Sequence, residues 1–274
     1  MQYFGFDKTL GQMRTFGFGV LKWLPTQLFQ NNEQGAWYDP SDISTLFQNA
    51  AMTIPVTASG DPVGAMMDLS GNGNHAIQTV SASRPTYQTD GILHWLAFDG
   101  VDDFIVTSQS IGISGGSPRS VLSAAKINNS SGIITSWGIE SSGQACHQRV
   151  FNQSLRSQFW AVDLTTSTGT VPTATSNVLS NLFYGNPVGA LDSEGVGADA
   201  RINGVYTPWG SSTAGSASNI NTANTTLTIG ARSGGSADLI SGAVYGIIVR
   251  SGTLSTAELN NAESYLSQKA GVTL

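Results

Sequence analysis

Carboxylates set among glycines are the residues of this chain with the clearest chemical potential. Asp68-Leu69-Ser70-Gly71-Asn72-Gly73-Asn74 places oxygen donors at Asp68, Ser70 and Asn72 with Gly73 in the sixth position, the front half of a calcium loop. The twelfth position is Thr79, where such a loop needs a bidentate Glu. One carboxylate is thin charge for a calcium ion, and an Asx/Gly turn is the better reading. Asp99, Asp102 and Asp103 form a second acidic cluster. They too could hold calcium, but the preferred reading is that they accept backbone amides and cap a turn. No cofactor is therefore expected, with calcium as the lesser alternative. His75, His94 and His147 are dispersed, and His94 lies between Leu93 and Trp95 in an apolar run, the setting of a structural histidine. Cys146 is the only cysteine, so no internal disulfide forms, and no serine sits in a nucleophile elbow. Aromatic side chains offer different chemistry. Tyr206-Thr207-Pro208-Trp209-Gly210 puts Tyr206 and Trp209 next to flexible Ser/Gly sequence, where an indole face could stack on a sugar or plug one end of the fold.

The elements that must position these residues are mostly short strands. Leu96-Ala97-Phe98-Asp99-Gly100-Val101-Asp102-Asp103-Phe104-Ile105-Val106 reads as strand, tight polar turn and second strand. Further strands are expected at 92–98, 104–107, 119–127, 132–137, 156–162, 178–184, 200–206, 225–231 and 239–250. Asn203-Gly204 is a hairpin turn, because both central positions of that turn need positive φ. Residues 164–176 and 210–224 are Ser/Thr/Gly/Ala/Asn-rich and read as exposed loops. Asp39, Pro40 and Asp42 predict a short helix that packs Leu46 and Phe47. A second helix closes the chain: Ser255 caps it, Glu258 completes a capping box, Leu254 staples onto Leu259, and Gly271 lies past its end. The fold class is all-β, a two-sheet antiparallel jelly-roll sandwich with a short N-terminal extension and a C-terminal helix. Residues 1–36 form a docking segment, 37–90 a lead-in and 91–274 the sandwich. In the first of these Phe4, Phe6, Phe16, Phe18 and Trp23 alternate with glycine or follow it closely. Such aromatics dock either against their own domain or as an anchor in a larger assembly.

Composition narrows the function classes. Of 274 residues, 40% are hydrophobic, enough for a sizeable core, while only 11% are charged, so Ser, Thr, Asn, Gln and Gly must carry solubility. A net charge of -6 without a basic run argues against nucleic acid as a partner. No apolar run is long enough for a membrane span, and the N-terminus lacks the order of a signal peptide. A single cysteine fits folding in a reducing cytoplasm.

Asp68 to Asn74, then Phe98-Asp99-Gly100-Val101-Asp102-Asp103-Phe104, resemble the opening of laminin-G-like, concanavalin A-like jelly-roll domains. Arg201-Ile202-Asn203-Gly204-Val205, Leu227 to Ala231, Ser241 to Tyr245 and Leu254 to Leu259 are similar to later parts of the same domains. The likeness runs from about residue 60 to 274. A narrower one, carried by Trp37-Tyr38-Asp39-Pro40-Ser41-Asp42, Gly71 to Ala76 and Arg84-Pro85-Thr86, is to structural proteins of tailed bacteriophages. It implies a non-enzymatic virion protein made in the bacterial cytoplasm: a tail or fibre appendage for host adsorption, or a capsid or collar decoration. Its partners would be other head, collar or tail proteins and a host-surface glycan. A homo-oligomer is implied, a trimer in a fibre, although no heptad run marks it. The same jelly roll hosts glycoside hydrolases, which need two carboxylates about the sugar bond. Asp192 and Glu194 are the alternating pair that a hydrolase would use, but flanking glycines place them at a loop end.

Overall fold

A computed structural model describes residues 23–160, 170–185, 198–207, 220–235 and 237–274 in full, and the backbone of strands at 4–6, 13–15, 163–166 and 209–213. Two antiparallel sheets face each other. The eight-stranded sheet runs β17 (Val205–Tyr206), β16 (Ala198–Ile202), β15 (Ser176–Phe183), β10 (Arg119–Ile127), β20 (Ser241–Ser251), β8 (His94–Asp99), β7 (Thr86–Thr89), with β3 (Gly35–Tyr38) also paired to β20. The ten-stranded sheet runs β18 (Trp209–Thr213), β14 (Asp163–Thr166), β13 (Ser154–Gln158), β12 (Ala145–Phe151), β11 (Ser131–Gly138), β19 (Thr226–Ile229), β9 (Ile105–Ser110), β6 (Ala76–Ile77), β5 (Ala65–Met66), β4 (Leu46–Phe47). Apart from both, β1 (Phe4–Phe6) pairs with β2 (Met13–Thr15). The expected all-β sandwich is the observed architecture.

Strand alternation divides the apolar residues between two cores. Leu96, Phe98, Val121, Val244, Ile247 and Val249 point inward and meet Ile105, Ile134, Trp137, Val150, Leu155 and Ile229 of the facing sheet. On the opposite side of the eight-stranded sheet, Leu122, Ala124, Tyr245 and Ile248 lie under α1 (Thr256–Ala270), which buries Leu259, Ala262, Tyr265, Leu266 and Ala270. Strands buried on both faces read as nearly unbroken apolar runs, as in β10 and β20. The helix begins at the expected Ser255–Glu258 capping box and ends with Gly271 at φ 64°. Asn203 (φ 52°) and Gly204 (φ 75°) make the expected turn between β16 and β17.

Three local features correct or add to the expectations. The segment after Asp39 is not an α-helix but a 3-10 turn, Ile43–Thr45, capped by Asp42, leading into β4. Asp39 is instead buried against α1, where Tyr265 Oη donates to it at 2.5 Å and Lys269 Nζ lies 2.8 Å away. Burial works to raise its pKa, but the hydrogen bonds from Lys269, Tyr265 and Ser41 outweigh it and hold Asp39 below the usual carboxylate range. Second, the expected strand, turn and strand about Gly100 are present, and β8 and β9 belong to different sheets, so this turn carries the chain across the sandwich. Third, β12 is an additional strand that the sequence pattern hides, because it alternates Cys146, Gln148 and Val150 inward with His147 and Arg149 outward. Among the described residues no helix is long and apolar enough to cross a membrane.

Candidate functional site

The helix covers only part of the outer face of the eight-stranded sheet, and where it stops the sheet lies open. Ser176, Lys126, Ala243 and Ala97 stand in one row across β15, β10, β20 and β8. The two alanines leave a low floor. Gly242 deepens it for a separate reason: its φ is 152°, and a Cβ there would sit 1.9 Å from the Lys126 carbonyl oxygen, so this close strand approach requires glycine. Around the floor stand Trp95 and Tyr245, their ring centroids 5.8 Å apart and tilted by 49°. Tyr245 Oη accepts a hydrogen bond from Ser176 Oγ at 3.2 Å, which fixes the phenol at the edge.

Two cavities result, of about 430 Å³ beside Trp95 and about 510 Å³ beside the helix end, and both are lined by Lys126 and Tyr245. They are the two halves of one groove with those residues at its waist. Asp90 and Asn128 border the first half, Asn203 and Ala270 to Thr273 the second. Asp90 Oδ1 accepts the Ile92 and Leu93 amides at 2.9 and 2.8 Å. The Leu93 and Ile92 bonds hold the carboxyl below the ordinary range, so it stays ionised as an acceptor at neutral pH. A partly exposed indole backed by a buried phenol, a small apolar floor and separated donors and acceptors together suit a ligand that is apolar on its faces and hydroxylated at its rim.

The outer face of the ten-stranded sheet is built differently. Arg149 Nη2 pairs with Asp238 Oδ1 at 2.9 Å, Arg232 pairs with Asp238 and with Glu140, and the Arg232 guanidinium lies 5.1 Å from the Trp160 ring centre. Beneath them His147 is 1% exposed. Its Nδ1 lies 3.2 Å from Gln158 Oε1 while Nε2 has no partner. Burial pushes its pKa down to about 4, so the ring is neutral. Inside the sandwich a further polar seam joins the sheets. Ser123 Oγ donates to Gln148 Oε1, Gln148 Nε2 to Asn181 Oδ1, and Asn181 Nδ2 to Ser157 Oγ, at 2.7 to 2.8 Å.

The structure distributes the sequence-derived candidates widely. Asp99, Asp102 and Asp103 do converge, with carboxylate oxygens within 4.8 Å of one another, while Asp68 stays apart. Asp99 Oδ1 accepts the Val101 and Asp102 amides, Asp103 Oδ2 accepts the Asp99 amide, and Asp102 Oδ2 accepts Ser83 Oγ. Burial, with Asp99 and Asp102 adding to it, raises the Asp103 pKa to about 6. Asp68 accepts the amides of Trp37, Ser70 and Asn74, and these bonds tie β3 to its loop. His75 and His94 are likewise engaged, His75 Nδ1 accepting the Asp68 amide at 3.0 Å and His94 Nδ1 lying 2.6 Å from Tyr87 Oη. Cys146 is buried, and burial lifts its pKa to about 11. Tyr206 ends β17 at an edge of the eight-stranded sheet, and Trp209 begins β18 at an edge of the other, its side chain outside the described residues. Phe4 and Phe6 lie in β1; their side chains, together with Phe16, Phe18, Asp192 and Glu194, are outside the described residues. Trp23 packs edge-on against Tyr265 of α1, 6.4 Å between ring centres. The sequence reading missed Trp95, Lys126 and Tyr245. The available signal was the single lysine in the otherwise uncharged interior of Arg119–Ile127.

No family model and no curated protein matches this chain. Solved structures do share its fold. A GH54 α-L-arabinofuranosidase soaked with a cyclic sulfate inhibitor aligns at TM-score 0.58 and 10% identity, over 90% of this chain and 65% of that one. An arabinofuranosidase complexed with arabinofuranosyl-α-1,2-xylobiose aligns at 0.51 and 11%, over 76% and 51%. Trypanosoma rangeli sialidase with 2,3-difluorosialic acid aligns at 0.50 and 11%, over 88% and 34%. The chain thus spans between about a third and two thirds of their lengths. These likenesses correct the functional expectation. These three solved structures share this sandwich and are glycosidases, which overturns the expected step from this fold to a non-enzymatic bacteriophage tail, fibre or capsid-decoration protein.

Proposed function

We propose that this chain is a glycan-acting protein's β-sandwich, of the laminin-G-like, concanavalin A-like kind, and that it holds saccharide in the groove between Trp95 and the end of α1. The observation that carries the reading is the Trp95–Tyr245 pair over a floor of Ala97, Gly242 and Ala243. A pyranose or furanose presents C–H groups on its faces and hydroxyls around its edge. Its face can shield the half-buried Trp95 indole from water, a gain that grows with the apolar area covered, while the buried Tyr245 ring backs the indole. Its hydroxyls meet Asp90 as acceptor and Lys126 and Asn128 as donors. Hydrolysis of a glycosidic bond would need a second carboxylate opposite the first, and among the described lining residues the groove supplies Asp90. The fold shared with the arabinofuranosidases and the sialidase supports the same class of ligand.

The test is calorimetric titration of the full chain with a panel of arabinose-, xylose- and sialic-acid-containing oligosaccharides, repeated with Trp95→Ala. Saturable binding by at least one sugar, weakened about tenfold or more by loss of the indole, is expected. Binding that ignores Trp95→Ala would remove the groove from the account.

A further inference from the structure

We infer that the groove takes a carboxylate-bearing sugar, a uronic acid unit, with its carboxylate on the Lys126 ammonium; this rests on the groove being the saccharide site. The argument begins with the state of the cations. Among the described residues Arg84 and Arg119 donate to backbone carbonyls. Arg149, Arg201, Arg232, Arg250 and Lys269 pair with carboxylates, and Arg156 stacks on Phe151. Lys126 alone has no side-chain hydrogen bond or ion pair. It is half-buried, between two cavities, on a strand whose neighbours are apolar. Its stem is partly covered by the strands beside it, and among the described residues no carboxylate stands against its ammonium. An anion from outside can therefore pair with it without displacing a partner.

The surroundings say which kind of anion fits. Asp90, the carboxylate in the same groove, stands at the β7–β8 turn, whereas Lys126 is on β10, with β20 between β8 and β10. Two strand spacings separate β8 from β10, about 10 Å, and salt screens charges over about that distance. Asp90 therefore does not neutralise Lys126. The carbonyl end of α1 borders the other cavity, and its negative pole favours a cation nearby, but Gly271 and Val272 amides turn back onto Ser267 O and partly close that end. One spare positive charge at the waist, with room for a sugar ring on each side, matches an oligosaccharide carrying a carboxylate on a central ring. A small inorganic anion would leave both cavities and the two aromatic rings unused.

The experiment titrates the full chain with trigalacturonate and with the same trimer fully methyl-esterified, which keeps the sugar and removes the charge. The acid is expected to bind about tenfold more tightly than the ester, the worth of one charge-assisted hydrogen bond. That preference should shrink as salt rises. Lys126→Gln should bring the acid-to-ester ratio near one, and Lys126→Arg, which keeps the charge, should restore much of it. Circular dichroism of each variant confirms the fold. Equal affinity for acid and ester, or an unchanged ratio in Lys126→Gln, overturns the inference. If both forms still lose affinity in Trp95→Ala, the groove stands and only its charge preference falls. Binding of neither form also overturns the inference, and the neutral sugars of the panel above then decide the groove separately.

Discussion

The outer faces of the two sheets share a composition and differ in how completely it is satisfied. Each carries aromatic rings, at least one cation and a carboxylate. On the ten-stranded sheet these groups answer one another: Asp238 receives Arg149 and Arg232, Glu140 shares Arg232, and Trp160 lies under that guanidinium. On the eight-stranded sheet Asp90 is tied to its own turn, Lys126 has no side-chain partner among the described residues, and Trp95 and the buried Tyr245 line cavities. A closed network of charges stabilises the fold and leaves little for a ligand. An unfinished one leaves charged groups free to meet a ligand. The same residue types therefore mark structure on one face and recognition on the other.

That contrast can be broken from either side. The largest expected effect is on the closed face and comes from pH. His147 has a folded pKa of about 4 against an ordinary 6.5, so the unfolded chain takes up the proton first. The stability this neutral ring allows is complete above about pH 6.5 and is lost as pH falls toward 4, by about 3 kcal/mol in total. Thermal melts between pH 7 and 4 should show that fall, and His147→Gln should flatten it. Melts with the same pH slope in both proteins would mean that the ring is not held neutral.

Next in size is Asp238→Ala, which removes the carboxylate shared by two guanidinium groups that are 10% and 22% exposed and leaves Arg232 with Glu140 and Arg149 with Gln158 and Ser131. A loss of about 2 kcal/mol in a denaturant titration is expected, with saccharide affinity unchanged. A loss of affinity there would move recognition to the wrong sheet. Smallest in stability is Trp95→Ala. Its indole is half-buried at the groove wall, so the cost should stay within about 1 kcal/mol while the binding loss is tenfold or more. The reverse pattern, a large stability loss with binding intact, would make Trp95 a core residue.

Much of the fold was legible because its signals are local. The capping box at Ser255 and Glu258 and the Asn203-Gly204 turn depend on neighbours in sequence, and β10 was bounded correctly by its apolar run from Arg119 to Ile127. What depends on partners was not legible. The strand, turn and strand around Phe98 to Phe104 can be read locally, yet alternation cannot say that the strand after the turn joins the opposite sheet. Asp39 has the pattern of a helix cap, but its buried bonds to Tyr265 and Lys269 come from residues more than two hundred positions away. The groove failed for the same reason. Its row of Ser176, Lys126, Ala243 and Ala97 is assembled from four strands in an order the chain does not follow, and each member alone is an ordinary strand residue. Acidic runs such as Asp99 to Asp103 drew attention because charge is visible in one dimension, whereas an empty shelf between aromatic rings is not.

The most direct test of the account is a nitrogen–proton NMR titration of the labelled full chain with the tightest oligosaccharide from the panel. The account predicts that shifts concentrate on the Trp95 indole N–H and on the amides of Ala97, Lys126, Asn128, Ala243 and Tyr245. Trp160 and the amides of His147, Arg149 and Asp238 should stay in place. Shifts gathered on the second group, with the first unmoved, would contradict it.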